Sequence, residues 1–289
     1  MGRIILKVQK NFKTIDNYFI LGEASEIIVK ARLREGEEDY EITYDLHNAV
    51  SEGSVFKVDF LIEDIQSGSA RRDVLLWTIE EDEAGILLSM DDDYQDVWEQ
   101  YFDLFDRYQA KLTFFVTGRY GPFCSKALNR GHDIGYHTLN HLNLLKVSRK
   151  IFFEETLEGL NEFREAEIPL KAFAYPYGLW EPWMHLELFK SFAVIRGFGT
   201  TYRIYNGDAI KDSYISSKSI DNIIYKEDDA FKDAVTMMLR TAKFLGRILP
   251  LTTHTIADDA AWGIRPDRLE YLLQSAADLK LAFYRYSDF

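Results

Sequence analysis

Five side chains in this sequence are of the kinds that hold a metal ion and move protons: Asp91, Asp92, His137, His141 and His254. Asp91 and Asp92 close the apolar run Gly85–Met90, and the two imidazoles of His137-Thr-Leu-Asn-His141 stand four residues apart. A catalytic divalent metal needs three protein ligands, an open position for water and a base nearby. Two histidines and one carboxylate meet the first need, and the neighbouring carboxylate is free to handle protons. Each element also has a plainer reading. Asp91-Asp92-Asp93 suits the N-terminus of a helix beginning near Tyr94, where acidic residues are favoured. His137 and His141 could be polar residues on a turn, and His254 a core histidine satisfied by a backbone partner.

The elements around these residues decide between the readings. Ile86–Met90 predicts a buried strand, and Tyr94–Gln109 has helical spacing with Trp98, Tyr101, Phe102 and Phe105 on one side. Strands follow at Lys111–Val116, Asp133–His137, Lys171–Tyr175, Ala193–Arg196, Arg247–Thr253 and Leu281–Tyr286. Helices are expected at Pro122–Arg130, Ser148–Arg164, Pro182–Ser191, Asp229–Leu245 and Pro266–Leu279. Alternation of this kind implies a parallel sheet covered by helices, closed or nearly closed into a barrel. The chemistry-bearing residues fall at the C-terminal ends of the strands: Asp91 and Asp92, His137, Tyr175-Pro-Tyr-Gly178 and His254. In a barrel those ends share one rim, so residues distant in sequence converge there.

The first 83 residues read differently. Glu26–Leu33, Tyr40–Leu46, Phe56–Ile62 and Val74–Ile79 alternate or run apolar between breaks rich in Gly, Ser and Glu, which predicts a small antiparallel sheet or sandwich. The acidic segment Glu80–Gly85 marks the expected boundary between an N-terminal β-rich domain, 1–83, and the barrel, 84–289.

At 289 residues, with 47% hydrophobic and 15% aromatic residues, the chain can bury a large core. Its net charge of −13 leaves no basic surplus for phosphates and argues against nucleic acid. Cys124, the one cysteine, excludes an intramolecular disulfide framework and a cysteine metal site, and is expected in the core. The start lacks a signal peptide's apolar stretch, and no run reaches the ~18 apolar residues of a membrane span. A cytoplasmic protein is the expectation, with oligomerisation through the β-rich region open.

Taken together, these motifs resemble the polysaccharide deacetylases of the NodB-homology type, carbohydrate esterase family 4, over about Gly85 to Phe289. Leu88-Ser-Met-Asp-Asp92 is similar to the family's first motif, usually Thr-Phe-Asp-Asp. Lys111–Gly118 resembles its Ala-Thr-Phe-Phe-Val strand, and Gly131–His141 its second motif, His-Ser/Thr-x-x-His. Phe173–Gly178 resembles the third, Arg-x-Pro-Tyr, and Leu251-Thr-Thr-His254 the fifth. The resemblance implies a distorted (β/α) barrel and a metal-dependent deacetylase acting on an N-acetylated sugar. It implies Asp92, His137 and His141 as ligands to Zn²⁺, with Co²⁺ or Ni²⁺ in relatives. Asp91 would take a proton from the activated water, Tyr177 N–H would help stabilise the oxyanion, and His254 would protonate the departing amine. Tyr175, Pro176 and Tyr177 would line the substrate site, and Trp180 and Trp262 offer ring faces to a sugar.

The chain departs from the family at three points. The motif-three arginine that pairs with the base is Ala174 here; Arg196 and Lys218 are the candidates for supplying that charge. The fourth motif lacks a clear counterpart, with Asp221 nearest to the role of orienting His254. Asp93 replaces a common Gly. His132 reads as structural, and His47 and His185 as surface residues. Two other readings stay open: a non-sugar amidohydrolase on the same fold, and an inactive carbohydrate-binding protein.

Overall fold

The computed structural model describes residues 84–289, apart from Asn206, Asp212 and the side chains of Asp208 and Leu245; of residues 1–83 it gives strand backbones alone. Those strands are β1 (Arg3–Val8), β2 (Ile15–Glu23), β3 (Glu26–Leu33), β4 (Asp39–Tyr44), β5 (Val50–Glu52), β6 (Val55–Asp64) and β7 (Ala70–Thr78). They pair in one sheet, antiparallel except for β1 beside β6. Whether this region is a separate sandwich-like domain, and what it binds, lies outside the described residues, as does His47.

From residue 84 onward the chain alternates strand and helix. The strands are β8 (Gly85–Asp92), β9 (Thr113–Val116), β10 (Asp133–Tyr136), β11 (Ala172–Ala174), β12 (Val194–Gly199), β13 (Ser213–Ser219) and β14 (Ile248–Thr253). Each pairs in parallel with the next, and β14 pairs with β8, closing a seven-stranded barrel. A two-strand pair, β15 (Thr255–Ile256) with β16 (Gly263–Ile264), sits after β14. The last strand, β17 (Ala282–Tyr284), pairs with the lower half of β8, Gly85–Leu87, while β9 takes the upper half, Ser89–Asp92.

Side-chain alternation sorts the residues of each strand. On β8, Ile86, Leu88 and Met90 join the large core between barrel and helices, while Leu87 joins a smaller cluster with Phe115, Ala174, Val194, Ile215 and Tyr286 inside the barrel. Ser89 and Asp91 follow Leu87 at period two, so Asp91 points into the barrel and Asp92 does not. The odd–even position of a residue therefore decides which of two adjacent carboxylates is sealed inside.

The helices are α1 (Gln95–Glu99), α2 (Phe102–Arg107), α3 (Pro122–Asn129), α4 (Arg149–Phe153), α5 (Leu160–Glu165), α6 (Pro182–Leu188), α7 (Asp228–Leu245) and α8 (Pro266–Asp278). On α8, Leu269, Leu272, Leu273 and Ala276 are fully buried, the i, i+3, i+4, i+7 stripe of a core-facing helix. Burial of each such leucine contributes about 1.5–3 kcal/mol. Cys124 is buried on α3, and burial pushes its thiol up.

Three expectations change. The helix Tyr94–Gln109 is two short helices broken at Tyr101. The helix Ser148–Arg164 contains a π-helical turn, Glu154–Glu158, between α4 and α5. The wider turn leaves the Glu155 carbonyl free to accept from Leu139 N at 2.9 Å. Strand β13 was not expected at all. Its sequence, Ser-Tyr-Ile-Ser-Ser-Lys-Ser, is polar because it lines the barrel interior and rim, and so gives little apolar signal.

Candidate active site

The upper rim of the barrel gathers the ends of β8, β10, β11, β13 and β14. Asp92 closes β8 with φ 83°, a left-handed conformation unusual for a non-glycine residue, and its carbonyl accepts from Thr117 N at 3.1 Å. The departure noted at Asp93 thus bears on Asp92, whose own backbone makes the turn.

His137 follows β10, and His141 is returned beside it by a tight turn rather than by a helix. Thr138 (φ 69°) and His141 (φ 54°) both adopt left-handed backbone, and Thr138 Oγ1 accepts from His141 N at 3.0 Å. Buried Glu155 braces the turn, accepting from Asn140 N at 2.8 Å and Asn140 Nδ2 at 2.7 Å. The result places the two imidazole rings 4.8 Å apart.

Among the described residues, Asp92, His137 and His141 form a set whose ligand atoms lie within 4.8 Å of one another. His137 Nδ1 lies 2.8 Å from the Ala174 carbonyl, an acceptor, so Nδ1 carries a proton and Nε2 is the nitrogen left to offer a lone pair. That lone pair faces Asp92 Oδ1 at 3.5 Å, and His141 Nε2 faces the same oxygen at 3.2 Å. Oδ1 is buried, yet has no hydrogen-bond partner. Electron-rich atoms converging in this way are placed to hold a cation between them, and the donor set fits a borderline metal such as zinc. Burial, aided by neighbouring His137, pushes His141 below its ordinary range against the pull of Asp92 and Asp91, so its ring is neutral and able to ligate. Burial raises the Asp92 carboxyl, but His137, with His254 and His141, outweighs it and holds the group below its ordinary value.

Two proton-handling groups flank this set. Asp91 is fully buried inside the barrel and paired with Arg196 Nη2. A buried carboxylate requires a compensating charge, and Arg196 on β12 supplies it. The register explains how: Ala174 of β11 pairs directly with Arg196 of β12. The arginine therefore stands one strand around the barrel from the position that lacks it, and the small Ala174 side chain leaves it room. Phe115 and Phe198 cover its guanidinium, 4.9 and 4.6 Å from its carbon. Lys218, the other candidate, donates to the Thr200 carbonyl at 2.9 Å instead.

On the far side, His254 Nδ1 lies 3.0 Å from Asp221 Oδ2. Asp221 is fully buried and held by Ser219 Oγ at 2.7 Å and Thr253 Oγ1 at 2.8 Å. Burial alone would lower the His254 pKa; the hydrogen bond and charge of Asp221, with Asp91 and Asp92, outweigh it and raise it above 6.5. Trp98 Nε1 donates to the His254 carbonyl at 2.8 Å, and the Trp262 ring lies 5.7 Å from the imidazole.

Residues 78–188 match the polysaccharide deacetylase family. Over those residues the chain resembles that family. A peptidoglycan-N-acetylglucosamine deacetylase of Bacillus cereus is 32% identical over 94 residues, which are 31% of this chain and 44% of that protein, so the chain spans under half the length of its curated relative. Two solved structures share the fold: a peptidoglycan deacetylase of Bacillus subtilis (TM-score 0.52, 16% identity, 73% of this chain and 91% of that one) and the chitin deacetylase of Colletotrichum lindemuthianum (TM-score 0.54, 14% identity, 71% and 87%). At those identities the likeness establishes the barrel alone. The matched segment stops before Arg196, Asp221 and His254, which are placed by the fold and not by the match.

The remaining expected residues divide. Tyr177, more than half exposed at 57%, sits at φ 59° with its ring 4.7 Å from His141. Gly178 follows at φ 65°, and a Cβ there would meet Phe198 of β12 at 2.8 Å, so the turn is seated against that strand. Pro176 is buried. Tyr175 does not line the site: its side chain is fully buried in the core against Phe173, because it continues the outward-facing alternation of β11. Trp180 packs on His185 (4.1 Å) and Tyr214 (5.2 Å), away from His254, whereas Trp262 reaches it. His185 is not a plain surface residue, since Tyr175, Trp180 and Tyr214 surround it. His132 stacks on Phe102 in the core, accepts from Leu112 N, and is pushed down to about 4 by burial. Sequence reasoning missed Glu155; the buried acid in an otherwise apolar helix face was the signal available.

Proposed function

We propose that this protein is a metal-dependent N-deacetylase acting on N-acetylated sugars in a polysaccharide or glycan precursor. One observation carries the reading: two separately wired proton-transfer groups, Asp91 on Arg196 and His254 on Asp221, flank the Asp92/His137/His141 set. Hydrolysis of an amide needs a base to take a proton from water and an acid to give one to the departing amine.

Asp92, His137 and His141 would hold the ion, Zn²⁺ best fitting the donors. When bound, it supplies Lewis-acid polarisation and makes water more acidic. Asp91 accepts the proton of the attacking water, with Arg196 fixing the carboxylate. The Tyr177 N–H, on a left-handed turn at the rim, donates to the developing oxyanion. His254, protonated and oriented by Asp221, gives its proton to the sugar nitrogen as the C–N bond breaks. Acetate and a free amine result. Trp262, beside His254 and 55% exposed, offers a ring face to the sugar that bears that amine.

The test joins metal analysis to acetate release from N-acetylglucosamine oligomers. The protein is expected to bind about one divalent ion and to release acetate, and Asp91→Asn to keep the ion and lose turnover. A protein that binds no divalent ion and is not activated by Zn²⁺ or Co²⁺ would falsify the proposal. Metal binding without turnover on any acetylated sugar would shift the reading to a non-sugar amide or to carbohydrate binding.

A further inference from the structure

Most of the exposed large apolar side chains among the described residues lie in two segments that leave the active-site rim side by side. The first runs from the residue after His141 through α4 and exposes Leu142, Leu145 and Ile151; the second follows Tyr177 through α6 and exposes Leu179, Leu186 and Phe189. On α6 the inner face buries Met184 and Leu188. Pro182, Leu186 and Phe189, at i, i+4 and i+7, put a second apolar stripe on the outer face, with Leu186 72% exposed. A helix that is apolar on both faces is expected to be covered on both.

The two segments form one surface. Trp183 of α6 packs on Phe152 of α4 at 4.8 Å, and the Arg149 guanidinium lies over the same indole at 4.6 Å. Position 186 is one turn on from 183, so Leu186 stands beside this contact. The charges are distinctive in a chain of net −13: residues 142–153 contain Lys146, Arg149 and Lys150 and no carboxylate, and only Lys150 is paired with the acid that follows, Glu154 at 3.3 Å. In the second segment Glu181 accepts from Trp183 Nε1, and Glu187 is paired with Lys190. Aliphatic side chains, an indole and cations on one face are the composition of a surface that lies in a lipid headgroup region.

We propose that this face docks on an anionic lipid surface, with Leu142, Leu145, Ile151 and Leu186 entering the interface and Lys146, Arg149 and Lys150 meeting the headgroups. Because both segments start at the rim, docking would bring the metal-ligating set close to sugars held at that surface. The inference stands on exposed side chains outside the catalytic machinery and is tested without turnover, so it succeeds or fails separately from the deacetylase reading.

The full chain is sedimented with vesicles of phosphatidylcholine alone or mixed with phosphatidylglycerol, across a range of salt. Binding is expected to need phosphatidylglycerol and to weaken as salt rises. Lys146→Ala should reduce it about fivefold, and Leu186→Glu should reduce it further, while circular dichroism stays unchanged. Absence of binding to the anionic vesicles, or binding that neither variant weakens, overturns the proposal. So does a concentration-dependent dimer in light scattering that Leu186→Glu dissolves, which would assign the face to a second copy of the chain. Retention on an anionic glycan but not on vesicles would overturn it as well.

Discussion

The two proton-transfer groups of this site are wired as opposites. On the base side the working group is a carboxylate, Asp91, and the partner a cation, Arg196; both are fully buried. On the acid side the working group is an imidazole, His254, 12% exposed at its side chain, and the partner a buried carboxylate, Asp221. Asp221 favours the charged form of His254, and Arg196 is the compensating charge that a buried carboxylate requires. They differ in what surrounds them. The base pair is covered by the aromatic rings of Phe115 and Phe198, so its charge compensation comes from one arginine, with one long hydrogen bond from Thr252 Oγ1 at 3.5 Å beside it. The acid pair opens to the rim, and Asp221 is held by two hydroxyls. Loss of a partner should therefore cost most where nothing else can compensate.

Arg196→Ala is the change expected to break the base side. It leaves Asp91 buried and unpaired, and removal of one partner of a buried ion pair costs about 3–5 kcal/mol. Chemical denaturation should show that loss, and acetate release should fall close to background. Register sharpens the test: because Ala174 pairs with Arg196, the double variant Ala174→Arg, Arg196→Ala returns a guanidinium from the adjacent strand. Partial recovery of both stability and turnover is expected. Lys218→Met serves as the control and should change neither, since that ammonium binds the Thr200 carbonyl.

The same asymmetry separates what the sequence made legible from what it did not. Asp91, Asp92, His137, His141 and His254 were readable because each follows an apolar strand whose period-two pattern is strong, and strand ends share a rim in a barrel. The resemblance to the deacetylase family rested on the same local strings. The partners were not readable in that way. Arg196 and Lys218 were equivalent as isolated cations, and only the pairing of β11 with β12 distinguishes them. Asp221 was a weak candidate because β13, which delivers it, is polar and passed as a loop. Tyr175 and Trp180 were hard to place for the opposite reason. Both sit within or just after a motif that does reach the site, yet alternation turns Tyr175 into the core, and Trp180 packs on His185 and Tyr214.

On the acid side, Asp221→Asn keeps the shape of the contact and removes its charge. His254 is raised above 6.5 by Asp221, Asp91 and Asp92 against burial, so removing the largest of the opposing contributions lets burial pull it down. With the imidazolium as the proposed acid, the high-pH limb of the rate profile should move to lower pH, while the rate well below pH 6.5 changes little. Each unit of that fall removes about tenfold of the protonated fraction on the alkaline side. The stability sign agrees. A histidine whose folded-state pKa is raised contributes stability that is fully present below 6.5 and lost as pH rises through the folded-state value, and Asp221→Asn should reduce that contribution at low pH. An unmoved alkaline limb would separate His254 from the proton delivered to the amine.

Trp262 gives the smallest expected effect and the finest division between the two sides. It lies 5.7 Å from the His254 ring, whereas Phe115 on the Asp91 side is sealed in the barrel. Its role is therefore with the sugar and not with the charge pair. Trp262→Ala removes one exposed ring face, a contact of about 0.5–1.5 kcal/mol, which corresponds to a KM about twofold to tenfold higher on oligomers with kcat nearly unchanged. Trp180→Ala should leave KM unaltered, because that indole faces His185 and Tyr214. If both tryptophans raised KM equally, the sugar would have to extend along α6 as well as across the rim. If Trp262→Ala lowered kcat and shifted the alkaline limb instead, its ring would be holding the imidazole, and the open character assigned to the acid side would give way to a packed one.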